Sequence, residues 1–316
     1  MDMQTVEKLI MLKYTLRKLS QSLLLALGVL VLAFFMIRMT GDPATLMMSR
    51  NATPEAVEAF REAMGFNRPV IVQFLDWIAK ALTGDFGNSL HFREPALGLV
   101  LQRLPATLYL ASAGLLMAVI VGVPLGLIAG FRSGSLFDYL SRLLALGGQS
   151  IPNFWLGLIL ILVFAQRLGW FPVFGNDEPT SVVLPAFVLS LPIMGELLRL
   201  TRSAALEVRG EDFVRTAVSK GLRRYTIYTK HVLRNVAISL ISVIGVEFGY
   251  MLGGSIYIET VYAWPGMGQM VGMALGWRDF PLVQTLVVFT SVVVLSLNLL
   301  TDLLYALLDP RIRHGK

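Results

Sequence analysis

Chemistry in this chain would have to come from a short list of side chains. There is no cysteine, and the three histidines, His91, His231 and His314, stand far apart. A disulfide framework and a thiolate metal site are thereby excluded, a histidine metal cluster is not expected, and no metal ligands are assigned. No G-x-x-x-x-G-K-[S/T] sequence is present, and the single Gly-Lys pair is Gly315-Lys316. The chain therefore has no P-loop with which to cradle ATP phosphates. The polar groups set within apolar runs are Glu196, Glu247, Asn298 and Asp302, and an ionisable group in such a place is a functional candidate by default. Glu196 lies within one turn of Arg199 and is expected to pair with it, while Asp302 stands towards the end of its run. Glu247 is the most deeply placed. It is the candidate for lining a water-filled path, against the plainer reading of a satisfied internal contact. No paired-carboxylate spacing asks for a proton relay, and no catalytic residue is assigned.

The remaining candidate chemistry is mechanical. Between Arg199 and Arg234 stand Arg199, Arg202, Arg209, Arg215, Lys220, Arg223, Arg224, Lys230 and Arg234, flanked by apolar runs on both sides. Such a segment cannot cross a bilayer and must project from it. Glu211 and Asp212 open a helix with acids in its first turn, favourable against the helix dipole. Phe213, Val214, Ala217 and Val218 supply an apolar side, and Lys220-Gly221 closes the helix with a basic last turn and a glycine stop. Leu222 follows, and a second, basic helix is expected over 224–235. A short helix with a mixed apolar and basic face suits insertion into a partner's groove as well as it suits lying on anionic lipid.

The elements that must position this projection are membrane spans. Of 316 residues, 55% are hydrophobic and 15% charged, against about 25% charged in a soluble domain. The net charge of +6 gathers beside apolar runs, where basic residues set topology and face lipid, so nucleic-acid binding is not expected. Six runs approach the ~20 apolar residues that a crossing helix needs: Ser20–Ile37, Leu104–Gly130, Leu143–Ala165, Val182–Leu198, Val236–Ile258 and Leu282–Leu308. Lys8, Lys13, Arg17 and Lys18 precede the first. Arg132 and Arg142 follow the second, the 199–235 loop follows the fourth, and Arg311, Arg313 and Lys316 end the chain. The opposite short loops carry only Arg167 and Arg278. With basic residues inside, both termini are cytoplasmic.

The expected organisation is a first segment and span over 1–40, an extracytoplasmic helical segment over 41–103, a five-span core over 104–308 and a tail over 309–316. In the outer segment, Thr53-Pro54-Glu55 is a helix start, with a stop at Gly65. A second helix over Val70–Leu82 puts Val70, Phe74, Trp77, Ile78 and Ala81 on one face. These helices are expected to lie at the membrane boundary, to help receive a partner, or both. Gly114, Ala118, Gly122, Gly126 and Gly130 recur every four residues in the second span, and Gly245, Gly249 and Gly253 do so in the fifth. Small residues at that spacing mark close helix–helix contacts in a membrane. Pro124 should kink the second span.

Arg215-Thr216-Ala217, three residues and then Gly221 resemble the E-A-A-x-x-x-G coupling motif of ABC importer permeases. The wider run Asp212-Phe213-Val214-Arg215-Thr216-Ala217, then Lys220-Gly221-Leu222, resembles the form found in the dipeptide, oligopeptide and nickel permease family. Gly41-Asp42-Pro43-Ala44, Gly84-Asp85-Phe86-Gly87-Asn88-Ser89, Leu104-Pro105-Ala106-Thr107-Leu108 and Ile151-Pro152-Asn153-Phe154-Trp155 carry the likeness along the chain. Trp264-Pro265-Gly266-Met267-Gly268, Arg278-Asp279-Phe280-Pro281 and Asp309-Pro310-Arg311 complete it. The chain departs from the general motif at Arg215, where a glutamate is usual, at His231, Leu233 and Arg234, where an isoleucine-x-leucine-proline element is absent, and at Ser239.

The resemblance implies an all-α membrane protein with the type I ABC importer permease fold, working without a cofactor of its own. It implies a second homologous permease, two ABC ATPase subunits that bind ATP and Mg, and an extracytoplasmic solute-binding protein, in a bacterial plasma (inner) membrane. Asp212, Phe213, Arg215, Thr216, Ala217, Lys220, Gly221 and Leu222 would then be the ATPase-coupling residues, and replacing Gly221 by Pro or Asp should abolish uptake. Peptides are the expected cargo, with glutathione-like compounds and nickel chelates open. A self-sufficient secondary transporter would call for paired intramembrane charges or an inverted repeat, and an intramembrane enzyme for a nucleophile setting. Neither pattern is visible in the sequence.

Overall fold

The computed structural model describes residues 3–48, 51–222, 226–227 and 233–308. Among them every regular element is helical. The elements are α1 (Met3–Thr40), α2 (Pro43–Met47), α3 (Pro54–Ala63), α4 (Val70–Leu82), α5 (Ala96–Phe131), α6 (Leu136–Ser150) and α7 (Asn153–Leu160), the last continued by a π-helical turn over Ile161–Arg167. After a 3-10 turn at Pro179–Val182 come α8 (Val183–Arg209), α9 (Asp212–Ser219), α10 (Leu233–Val261), α11 (Met267–Trp277) and α12 (Phe280–Leu308). Among the described residues four helices are long and apolar enough to cross a bilayer: Met11–Met36, Ala96–Phe131, Pro179–Arg209 and Phe280–Leu303. The expected basic helix at 224–235 and the tail at 309–316 lie largely outside the described residues.

The third expected span is not one continuous helix. α6 and the α7 segment meet at an angle of 101° at Ile151-Pro152. Proline has no amide hydrogen to donate and disfavours helical backbone in the residue before it, and Ile151 is accordingly extended (φ −84°, ψ 127°). α5 begins at Ala96, eight residues before the expected Leu104, and continues through both Pro105 and Pro124. α2 and α11 were not anticipated. Asp42 caps α2 through the Thr45 amide, and α11 begins at Met267, after Gly266 as N-cap, within a segment that reads as a loop.

Residues 41–95 hold the expected pair of helices. The Thr53 side chain caps α3, which stops at Gly65 (φ 70°). α4 lays Phe74 and Trp77 against Phe34 of α1, with ring centroids 5.1 and 5.7 Å away. Val70, by contrast, is exposed with Ile71, Leu75 and Leu82.

The centre of the bundle is the parallel contact of α5 with α8, and glycine sets its distance. A Cβ on Gly122 would lie 2.8 Å from the Met194 carbonyl oxygen, and one on Gly126 2.5 Å from that of Leu198. One on Gly130 would lie 2.9 Å from that of Arg202. The repeated small residues of the second span thus face this chain's own fourth span. In α10, Gly245 lies against Thr301 and Gly249 against Asn298, both on α12. Gly253 has nothing within 4 Å of a Cβ and is not part of that packing ridge.

In the N-terminal third of α5 a buried carboxylate ties three helices together. Glu259, wholly buried on α10, accepts from Thr107 Oγ1 of α5 and Ser255 Oγ, both at 2.9 Å. It also accepts from the first-turn amides of α11, including that of Gln269 at 3.0 Å. Thr107 Oγ1 in turn accepts from the Met267 amide at 2.8 Å, and Trp264 Nε1 donates to the Ala106 carbonyl at 2.9 Å. Gly266 and Gly268 leave no room for a Cβ beside this carboxylate. The strings Leu104–Leu108 and Trp264–Gly268 are therefore two halves of one junction. A parallel arrangement joins the others. Asp279, also buried, accepts from Ser89 Oγ and from the His91 amide (3.1 Å), and it caps α12 through the Leu282 amide (3.2 Å).

Two expectations follow for the purified protein in detergent. Gly126→Ala forces a methyl onto an unyielding carbonyl and should cost about 1–3 kcal/mol, whereas Gly253→Ala should stay within about 0.5 kcal/mol. The thermal unfolding midpoints of the two variants measure the difference. Glu259→Ala strands several buried donors and should cost about 3 kcal/mol or more, read as a lower midpoint and a lower amount of folded protein in the membrane.

Candidate functional site

α8 runs past Arg209 into a one-residue turn at Gly210, and Glu211 in extended conformation begins α9. Glu211 is the N-cap, so Asp212 is the one acid in the first helical turn. Asp212 is exposed, with Arg215 Nη1 3.8 Å from its carboxylate. Thr216 returns its hydroxyl to the Asp212 carbonyl at 2.9 Å.

The stop of α9 is a complete Schellman arrangement. The Leu222 amide donates to the Ala217 carbonyl (3.2 Å), and the Gly221 amide donates to the Val218 carbonyl (2.9 Å). This pattern needs a left-handed residue at its turn, and Gly221 supplies it at φ 72°. A Cβ there would meet nothing within 4 Å, so the requirement is backbone conformation and not space. Asp and Asn visit this region more readily than other non-glycine residues. The expectation that Gly221→Asp must abolish function is accordingly revised: the demanding replacements are proline and the β-branched residues.

The eight residues expected to couple divide between two faces. Ala217, only 5% exposed, lies with Val214 in the apolar cluster that includes Ala205 and Ile227. Their small and β-branched side chains seat α9 on its own chain. Phe213, Val218 and Leu222 are exposed, as are Arg215 and Lys220. Phe213 and Val218 flank the buried Val214 and Ala217, so α9 has a single apolar side whose centre is seated on its own chain and whose margins stay exposed. An exposed apolar face rimmed by cations marks a contact surface.

Glu247 is half-buried on α10, where its carboxyl group meets that of Glu196 on α8. This is the paired-carboxyl contact that the sequence spacing did not announce, since the two residues come from different helices. Glu196 does not take up Arg199 as expected. Arg199 Nη1 donates instead to Gln149 Oε1 at 2.7 Å. Among the described residues no group of three or more His, Cys, Asp or Glu side chains could hold a metal ion.

Two charged residues near α9 were missed as a pair. Arg202 was counted for its charge alone, and Asp138 went unremarked. Asp138 is 1% exposed and takes both arms of the Arg202 guanidinium, Nε to Oδ1 at 2.5 Å and Nη2 to Oδ2 at 2.9 Å. The one signal in the sequence was Ser135-x-x-Asp138, which does form the start of α6, with the Asp138 amide donating to Ser135 Oγ.

Comparison with known proteins places these features in a family. Residues 122–314, which include α9, match the family described as binding-protein-dependent transport system inner membrane component, and residues 11–111 match its N-terminal counterpart. The chain is 36% identical over 316 residues to the oligopeptide transport system permease protein AppB of Bacillus subtilis, covering 96% of this chain and 100% of that one. It is 33% identical over 333 residues to the dipeptide transport system permease protein DppB of Alkalihalophilus pseudofirmus, with coverages of 96% and 100%. In fold it is similar to a chain of the MetNI methionine ABC transporter solved in inward-facing conformations, with a TM-score of 0.56 and 18% identity over 67% of this chain and 97% of that chain. The chain belongs to the binding-protein-dependent transport system inner membrane components, the multi-pass plasma-membrane permeases of ABC importers.

Proposed function

We propose that this chain is one of two permease subunits in an ATP-driven importer of di- or oligopeptides, and that α9 is its coupling helix. The observation that carries the reading is the exposed margin of the apolar side of α9. Phe213, Val218 and, just beyond the helix, Leu222 stand exposed around an apolar centre, Val214 and Ala217, that is already buried in its own chain. A groove in an ABC ATPase subunit is the partner that the family relationship supplies. ATP and Mg belong to that subunit, since this sequence has no P-loop. The peptide cargo is inferred from the relatives named for oligopeptide and dipeptide transport.

The topology that accompanies this reading has six crossings with both ends in the cytoplasm. The four long apolar helices, the bent α6–α7 pair and α10 would make the six. Lys and Arg placement then puts α9 and the α5–α6 turn inside, and residues 41–95 and α11 outside. A second homologous permease would complete the pathway, with Glu247 facing it, and an extracytoplasmic solute-binding protein would deliver the peptide. Displacement of α9 by closure of the ATPase dimer would move α8, which continues into it, and with α8 the glycine-locked α5.

Phe213→Asp should abolish co-purification of the ATPase subunits while leaving the permease in the membrane. Loss of an aromatic anchor at an interface costs about 2 kcal/mol or more, which is roughly thirty-fold in affinity. Gly221→Asn should retain uptake of a labelled tripeptide in vesicles, and Gly221→Val should lose most of it. Full uptake by the Phe213→Asp variant, or transport by this chain alone without ATPase subunits, would refute the reading. Competition of that uptake by dipeptides, but not by glutathione or a nickel chelate, tests the cargo.

A further inference from the structure

α6 is fastened to α8 along its whole length in antiparallel register. Gly148 lies against the Leu191 carbonyl and Gly195 against the Ala145 carbonyl, where a Cβ would come within 3.1 and 2.6 Å. Gln149 Nε2 donates to the Pro192 carbonyl at 3.1 Å. These contacts already bring the helices together at one end. At the other end stands the Asp138–Arg202 fork, with the Gly134 amide donating to Asp138 Oδ2 at 3.0 Å and Arg142 Nε 3.7 Å from Oδ1. Burying a carboxylate and half-burying its guanidinium partner is expensive, and an apolar pair of similar volume would hold two helices together at least as well. What the fork adds is geometry: two parallel bonds between planar groups fix both distance and rotation.

Its place in the chain gives that geometry a use. Arg202 lies two turns before the end of α8, which passes through Gly210 directly into α9. Asp138 lies at the start of α6, and α6 ends at the 101° bend of Ile151-Pro152. An open cavity of about 520 Å³ occupies the bend, lined by Gln149, Ile151, Asn153, Phe154, Pro192 and Tyr257. The glycine contacts hold the C-terminal part of α6, and the bidentate ion pair adds a fixed distance and rotation at its N-terminal end.

We propose that Asp138 and Arg202 form a second coupling contact within this chain, making α6 follow α8 when α9 is displaced, so that the stroke reaches the bend at Pro152 and the cavity beside it. Both are positioning residues, acting on the pathway through α6. The proposal rests on the importer reading and on α9 as the coupling helix, and adds the route that the motion takes inside the permease.

The test uses the complete transporter in proteoliposomes: both permeases, both ATPases and the binding protein loaded with a labelled tripeptide. Arg202→Lys keeps the charge and removes the fork, and the double variant Asp138→Asn with Arg202→Gln removes both charges, so that neither is left buried alone. Both should assemble with their ATPases and hydrolyse ATP. The peptide moved per ATP hydrolysed should fall by at least about tenfold, within the range of site-to-site couplings. A purely structural pair would lower assembly and leave that ratio unchanged. An unchanged ratio in either assembled variant, or failure of the double variant to assemble, overturns the proposal. If the unaltered complex itself shows no ATPase response to loaded binding protein, the importer reading fails instead, so the two failures are distinguishable.

Discussion

Everything in this molecule depends on how closely two backbones approach. Lipid offers helices no hydrophobic reason to associate, so their contact must come from dispersion and polar pairing at short range. Gly122, Gly126 and Gly130 bring α5 against α8 until their would-be Cβ positions fall within 3 Å of α8 carbonyl oxygens. That distance makes the pair behave as one body. α9, attached at the end of α8 and seated by Val214 and Ala217, inherits a rigid base. A coupling helix on a loosely packed span would dissipate displacement locally.

Polar groups do the complementary work at two places along α5. From Thr107 to Phe131 α5 extends some 36 Å at 1.5 Å per residue, and a buried carboxylate stands near each of these two points. Glu259 ties α5, α10 and α11 at one, and Asp138 ties the α5–α6 turn to α8 at the other. A buried carboxylate survives only when its lone pairs are taken. Glu259 is satisfied by hydroxyls and backbone amides, a closed and neutral-donor arrangement suited to a fixed junction. Asp138 is satisfied chiefly by one cation from the neighbouring helix, which makes it sensitive to relative motion. The two places thus differ in kind: one is satisfied by neutral donors, and the other chiefly by a cation from a neighbouring helix.

The sequence disclosed these features unevenly, for physical reasons. Local signals were reliable: Thr53 with Pro54, the Lys220-Gly221 stop and the amphipathic run Val70–Leu82 each depend on residues within a turn or two, and α3, α9 and α4 sit where they were expected. Glycine spacing revealed a ridge but not its partner, because which helix fills a groove is a tertiary matter. Gly126 therefore joined α8, while Gly253 joined nothing. The bend at Pro152 was masked by continuous apolarity, since hydropathy carries no information about direction. Contacts across sequence distance were invisible. Glu196 was assigned to its neighbour Arg199 because proximity in sequence was all that could be weighed, and Glu247 is 51 positions away.

The short strings that carry the family likeness acquire a common explanation. Leu104–Leu108 meets Trp264–Gly268, Gly84–Ser89 meets Arg278–Pro281, and Ile151–Trp155 forms the bend. In each of these places the residue type answers to a local packing demand: a glycine beside a carboxylate, a hydroxyl that both donates and accepts, a proline at a corner. A protein whose work is to change shape between two packed states must specify its joints more strictly than its surfaces. α1 illustrates the contrast, since Leu23, Leu24, Leu25 and Leu32 are all exposed along it and any apolar residue could stand there. Sequence constraint in such a chain follows the mechanics, and its tightest points lie where helices are joined rather than where a ligand would be gripped.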